Sequence, residues 1–345
     1  YWRKTHQTSY LVERAFKIGR LKRWSFLGEH MPHFIKSLMA AMLELKGRRR
    51  RRPFKRFQEE KLHKTRKYIS EEELELDPPV ADAYCTGSDQ VWNSIWNEGF
   101  EDPYYLTWAP IGKPRIAFAA SIGRDKLDEW EKPLMREALG RYDAISMREK
   151  SGVQLLESLG IEDAFLVLDP TLMLNKVEWE KIATIPSSMP EKYILVYQLN
   201  PDERFGDYTS NLSQYLGIPI VKICYERNEI QKGAINLVTP EVSDFVGLFL
   251  KASYIVTDSF HATAFSLNFE KPFVAILPSR FSTRIANIVE LTGTTDRIFR
   301  GYGDVDLMLQ PIDFSFVKER LNAKRKESLD FLSRALGEPC GIKRK

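Results

Sequence analysis

From residue 82 onward, short apolar runs alternate with longer stretches in which apolar positions recur every three or four residues. Apolar runs bounded by small or polar residues predict strands, and the wider period predicts helices. Strands are expected at 83–86, 115–120, 144–146 and 165–168. Each runs into a small or polar cluster: Gly87-Ser88-Asp89-Gln90, Ser121-Ile122-Gly123, Met147-Arg148-Glu149-Lys150 and Asp169-Pro170-Thr171. Helical patterns at 132–139 and 152–159 lie between them, each followed by Gly. A Pro/Ser-rich stretch at 185–190 reads as a linker. A second series follows, with strands at 193–199, 218–224, 254–257 and 272–276. Its helices are expected at 204–216, 242–250, 262–269 and 284–291. A long charged helix at 317–335 closes the chain.

Strands separated by helices require crossover connections and a parallel sheet. In such sheets ligands sit beyond the carboxyl ends of the strands, so the polar clusters should line one edge of each sheet. The expected fold class is α/β, with two Rossmann-like domains facing across a cleft (GT-B-like). The expected divisions are 1–80, a basic and largely helical segment joined to the first domain; 81–185, the first domain; 186–315, the second; and 316–345, a helix and tail. Neither half carries a GxGxxG fingerprint, and no GxxxxGK[ST] loop is present. Nicotinamide and ATP chemistry therefore have no positive support.

Charge changes the picture at the N-terminal end. Residues 1–67 carry 20 Lys and Arg against 5 Asp and Glu, while the whole chain is only +4, so the remainder is net acidic. The run Lys46-Gly-Arg-Arg-Arg-Arg-Arg-Pro-Phe-Lys-Arg56 suits a polyanion, and it equally suits a solvated connector. Phe34, Leu38, Met42 and Leu45 fall on one helical face just before it. That face can lie on a membrane surface or pack on a domain. No run of about 18 apolar residues is present. Cys85, Cys224 and Cys340 are widely spaced and odd in number, which favours a reducing cytoplasm over a disulfide framework or a zinc site.

The candidate chemistry lies at the strand ends. His261, within Asp258-Ser259-Phe260-His261, falls in the first turn of an expected helix. Free N–H groups and the helix dipole suit an anion there, and an imidazole can move a proton. The plain alternative is an N-cap with a packed histidine. In Gly87-Ser88-Asp89-Gln90-Val91-Trp92-Asn93 the small and polar residues can bind sugar hydroxyls, with Asp89 as base and Trp92 as a stacking face. The alternative is a capped helix start with Trp92 in the core. Arg148 can clamp a phosphate or carboxylate, or pair with an acid. Arg280 and Arg284 are further anion candidates or solvated charges.

Four motifs together carry a resemblance. GSDQVWN at 87–93, SMREKSG at 146–152, LDPTLML at 168–174 and TDSFHATAFSLNFEKPFVAI at 257–276 are similar, in order and spacing over roughly 80–292, to the polysaccharide pyruvyl transferase family. The resemblance implies transfer of the enolpyruvyl group of phosphoenolpyruvate to a sugar, giving a pyruvyl ketal. It implies His261 and Arg148 around the donor; the reaction also needs a base, and Asp89 is the residue expected to orient or deprotonate the acceptor. Gly87, Ser88, Gln90, Trp92, Asn93, Ser121, Asp258, Ser259, Phe260, Arg280 and Arg284 are the expected substrate-binding residues. No metal site and no cofactor are expected, with phosphoenolpyruvate as donor substrate. The acceptor is expected to be a hexose on a lipid diphosphate, with the basic segment against an anionic inner membrane face. A cytoplasmic location, peripheral on that face, follows, and no nucleic acid is expected.

Two departures accompany the resemblance. Some relatives have Arg-Leu-His where this chain has Ser259-Phe260-His261, so a neighbouring positive charge must come from Arg280 or Arg284. The family's opening βαβ unit is also not visible before Tyr1, which leaves an inactive member as one reading. The nearest rival function is a GT-B glycosyltransferase using a nucleotide sugar. A rival from another class is a non-catalytic RNA binder using the arginine run.

Overall fold

The computed structural model describes residues 51–278, 282–299 and 305–337. The chain divides into two compact units, Tyr1–Asp77 and Pro78–Lys345. In the first, residues 51–61 are helical, and a short helix spans Glu71–Leu76. Ser70 caps that helix by accepting a hydrogen bond from the Glu73 amide, and Arg66 pairs with Glu73 and Asp77. The apolar face at 34–45, most of the arginine run, Arg280 and Cys340 lie outside the described residues.

The second unit holds two parallel sheets. The first contains β1 (Tyr84–Thr86), β2 (Arg115–Ala120), β3 (Ala144–Met147) and β4 (Ala164–Leu166), paired in sequence order. Its helices are α1 (Ser94–Asn97), α2 (Glu131–Leu139) and α3 (Lys150–Ser158). Two short helices, α4 (Pro170–Met173) and α5 (Lys176–Glu180), lead to the second sheet.

That sheet has six strands: β5 (Ile194–Tyr197), β6 (Ile220–Cys224), β7 (Ile235–Val238), β8 (Tyr254–Thr257), β9 (Phe273–Ile276) and β10 (Ile298–Phe299). Their spatial order is β10-β9-β8-β5-β6-β7, all parallel. This is the doubly wound order, in which the lateral progression of successive strands reverses between β5 and β8. Its helices are α6 (Glu203–Leu216), α7 (Val242–Lys251), α8 (Phe260–Asn268), α9 (Thr283–Leu291) and the long α10 (Phe314–Ala335). Two Rossmann-like sheets in one chain make the fold GT-B-like, as the alternating pattern predicts.

Each central strand is buried on both faces, which is why it reads as an unbroken apolar run. Leu195, Tyr197, Val221, Ile255 and Phe273 join one core with α7, α8 and α9. Ile194, Val196, Ile220, Val256 and Val274 join the other with α6. Helix α10 serves both halves. Val317 and Leu321 enter the core of the second sheet, while Phe331 packs with Ala119 and Val167 of the first half. The Ser328 hydroxyl accepts the Leu168 amide at 3.0 Å.

Two strands were not anticipated from the pattern. Strand β7 is an edge strand whose residues stay half exposed, so its apolar signal is diluted, and β10 has only two residues. Among the described residues, no helix is long and apolar enough to cross a membrane.

Candidate active site

The carboxyl end of β3 delivers Arg148, whose side chain is 1% exposed and held by acids. Its Nη1 donates to Asp169 Oδ2 at 2.6 Å, and its Nη2 donates to Asp89 Oδ1 at 3.1 Å. Its guanidinium carbon stands 4.9 Å from the centre of the Phe260 ring. Asp169 follows β4 and caps α4, accepting the amide and hydroxyl of Thr171 on Oδ1. Its other oxygen accepts the Ser88 hydroxyl at 3.1 Å and stands 3.8 Å from His261 Nε2. Arg284, from α9, places Nη1 3.7 Å from Asp89 Oδ1, and it too faces Phe260. Strand ends of both sheets thus converge on Arg148, Asp169, Asp89, Arg284 and His261.

His261 owes its position to an unusual helix. Every other residue of α8 is buried, so the helix is enclosed on all sides. Its polar members are satisfied internally: Thr263 and Ser266 donate to the carbonyls of Ser259 and Ala262, and Asn268 donates to Leu174. His261 alone is left partly open, at 35% side-chain exposure. Ser259 is the buried N-cap, its hydroxyl accepting the Ala262 amide. Phe260 is buried beneath the two arginines.

Electrostatics set the protonation states. Burial lowers the affinity of His261 for its proton; Asp169 opposes this and Arg148 adds to it, and the imidazole titrates below its ordinary range. Burial alone would raise the Asp89 carboxyl, but Arg148, His261 and Arg284 outweigh it and hold it below the usual carboxylate range. The same contest, with Arg148 as the main opposing charge, holds Asp169 low. At neutral pH the site therefore holds a neutral imidazole beside ionised carboxylates and guanidinium groups.

Several expected binding residues are built into the framework instead. Trp92 is 0% exposed, stacks on Tyr105 and donates Nε1–H to the Tyr104 carbonyl, so it offers no face to a sugar. Asn93 is equally buried: it caps α1 and donates to the Gln90 side chain. Ser121 is buried, donating to Glu149 Oε1 at 2.9 Å. That oxygen also accepts the amides of Ile122 and Gly123, pinning the loop after β2. Gly123 has a φ of +68°, a conformation that favours glycine, and a Cβ there would displace the Gln90 side chain. At Gly87 no such crowding exists; a Cβ there would meet nothing within 4 Å. Asp258 is spent on the reversal point of the second sheet. It accepts the amides of Leu199 and Asn200 at 2.7 and 2.8 Å and the Asn200 side chain at 2.9 Å. Ser88 and Asp89 stay accessible at the first sheet's edge.

Asp169 and Glu149 are the residues that sequence reasoning missed. Both sit within motifs already singled out. Asp169-Pro170-Thr171, an acid at a strand end before a helix-starting proline, gave the same signal as Asp258. Among the described residues, no three His, Cys, Asp or Glu side chains gather as metal ligands would.

A family model, polysaccharide pyruvyl transferase, matches residues 17–280. The chain belongs to the polysaccharide pyruvyl transferase family. No curated protein matches it. Among solved structures, this pyruvyl transferase family member is similar to MnaA of S. aureus in complex with UDP, at 14% identity over 82% of this chain and 86% of that one, with a TM-score of 0.49. It is also similar to the UDP-GlcNAc 2-epimerase of Neisseria meningitidis bound to UDP-GlcNAc, at 13% identity over 76% and 78% of the two chains, with a TM-score of 0.47. A third likeness is to the wall teichoic acid polymerase TagF, at 12% identity over 68% and 64%, with a TM-score of 0.33. At the family level the chain is a transferase of polysaccharide pyruvylation, with a sugar as its acceptor.

Proposed function

We propose that the chain transfers the enolpyruvyl group of phosphoenolpyruvate to a hexose of a lipid-linked or cell-surface polysaccharide precursor, forming a pyruvyl ketal. The observation that carries this reading is the Asp89 carboxylate lying between Arg148 and Arg284. An exposed carboxylate held by two guanidinium groups marks where a ligand's anionic group can sit. Phosphoenolpyruvate supplies such a group. Its binding displaces Asp89, removes the charges that keep that carboxyl low, and frees it to accept a proton from the acceptor hydroxyl. His261 starts neutral. The approach of a polyanion favours its charged form, so it gains a proton with the donor and can deliver it.

Atoms and protons then balance. The methylene carbon takes a proton and becomes a methyl group, while one sugar hydroxyl oxygen bonds to the adjacent carbon. The bond from that carbon to the phosphate oxygen breaks, a second hydroxyl of the same sugar closes the ketal, and its proton leaves with inorganic phosphate. Asp89 and His261 handle the protons, and Arg148 and Arg284 neutralise the donor.

A nucleotide-sugar transferase is less well supported. The amides after β5, at the reversal point where a nucleotide phosphate would look for N–H donors, are already taken by Asp258. The test is incubation with phosphoenolpyruvate and a panel of lipid-linked and synthetic hexosides, read by mass spectrometry. A gain of about 70 Da, lost in His261→Ala, is expected. Turnover of nucleotide sugars without phosphoenolpyruvate use would overturn the reading.

A further inference from the structure

Behind Phe260 lies a second feature, most of whose lining residues have no role in the proposed chemistry. A cavity of about 260 Å³ opens between the end of β4, the start of α3, and helices α9 and α10. Its floor is apolar, formed by Leu166, Leu168, Leu172, Ile288 and Leu291. Its walls are cationic. Arg148 and Arg284 reach it from the site already described, and Lys150, Arg320 and Lys324 belong to it alone. Asp169 and Glu290 in the lining oppose these five positive charges, and Glu327, outside the lining, pairs with Lys324, leaving a balance of +2.

The contrast with the His261 side is sharp. Arg148, Arg284 and Asp169 are common to both spaces; to these the His261 side adds the acids Asp89 and Glu149 around a neutral imidazole, whereas the cavity adds Lys150, Arg320 and Lys324 against Glu290. His261 and Asp89 do not line the cavity, whereas Arg148, Asp169, Phe260 and Arg284 do. The stacked arginines and the Phe260 ring are therefore a shared wall between the two spaces.

We infer that this cavity is an anion site for a phosphate group, carried by Lys150, Arg284, Arg320 and Lys324. Arg320 and Lys324 stand one turn apart on α10 and so present their charges on one face. Arg284 is well placed to respond, because its Nε is buried without a hydrogen-bond partner. Lys150 pairs with Glu290 across the exposed mouth at 3.0 Å, a contact an anion can replace at little cost. At about 260 Å³ the cavity falls below the usual range of about 300–1,000 Å³ for small-molecule pockets, which fits a small phosphate compound and not a nucleotide sugar. Two sources share that chemistry: free inorganic phosphate, and the phosphoryl group of a small organic phosphate. Only the identity of the organic phosphate rests on the function proposed above.

The test is calorimetric titration of the full chain with inorganic phosphate and, separately, with phosphoenolpyruvate. The variants are Arg320→Gln/Lys324→Gln, Lys150→Gln and His261→Ala, each checked for an unchanged unfolding midpoint. The double variant should weaken phosphate binding by about tenfold or more, Lys150→Gln by less, and His261→Ala by under about threefold. A matching loss for phosphoenolpyruvate assigns the cavity to its phosphoryl group, and a loss for inorganic phosphate alone assigns it to free phosphate. Wild-type protein that does not bind phosphate would overturn the inference. So would a double variant that binds like wild type, or phosphate binding that His261→Ala alone abolishes. Failure of pyruvyl transfer in the mass assay leaves the inorganic phosphate result standing, so the two ideas fail separately.

Discussion

At the scale of single residues, His261 and Trp92 show how little residue type alone decides. Both stood in motifs with a binding reading and a packing reading. Trp92 went to the core because the loop that carries it turns inward onto Tyr105. His261 stayed open because α8 is enclosed everywhere else. Exposure after folding separates them, and exposure depends on neighbours far along the chain. The depressed affinity of His261 for its proton has a measurable sign. Nitrogen NMR of the ligand-free protein should show its imidazole titrating below about 6.5, and phosphoenolpyruvate should move that titration upward. The unfolded chain binds this proton near pH 6.5, while the folded chain binds it only at lower pH. Stability through this residue is therefore present at neutral pH and is lost on acidification through that window. A ligand-free titration above the ordinary value would overturn the assigned protonation state.

At the scale of elements, the parallel strands, their crossovers and the strand-end polar clusters were legible because period and punctuation are local properties. The short edge strands were not, since their residues carry no strong apolar signal. Nor was the irregularity at the end of β2 visible. There the register shifts, Ala119 adopts a φ of +54°, and the Ser146 hydroxyl fills the gap by bonding the Ala119 amide and the Ala117 carbonyl. In the motif SMRE, Ser146 thus holds the strand end from which Ser121 and Gly123 depart. Helix α7 offers a sharper test of element packing. Its Gly247 lies so close to the preceding segment that a Cβ would sit 1.8 Å from the Thr184 carbonyl oxygen. Backbone must move to admit even a methyl group, so Gly247→Ala should cost about 1–3 kcal/mol. Urea unfolding would reveal it, and an unchanged midpoint would contradict the packing described.

At the scale of the whole molecule, the pairing of sequence-distant sites was the least readable. The cluster of Asp89, Arg148, Asp169, His261 and Arg284 spans nearly two hundred residues of chain. The motif resemblance put His261 and Arg148 at one donor site, but Arg284 lies outside its motifs and Asp169 is not among the site residues it implies. It could not supply the salt bridges, because those depend on how two sheets meet. Helix α10 is the clearest case. It reads as a charged terminal helix, yet it reaches the first half through Phe331, while Arg325 donates to the Leu172 carbonyl and the Asn268 side chain. Phe331→Ala removes the buried anchor and should cost about 3–5 kcal/mol. Activity should fall with it as the two halves lose their common support. Calorimetry would then show the first half melting earlier, and a single unshifted transition would argue against the anchor.

The path of α10 also has a mechanical meaning. Besides the side-chain contacts at the candidate site, the backbone joins the two halves along the segment that carries α4 and α5 and along this helix. One tether would leave two rigid bodies free to swing and twist in any direction. Two tethers leave a single easy axis, the line running through both. Any opening of the space between His261 and Asp89 that keeps both joins intact is then a rotation about that line, like a door on a pair of hinges.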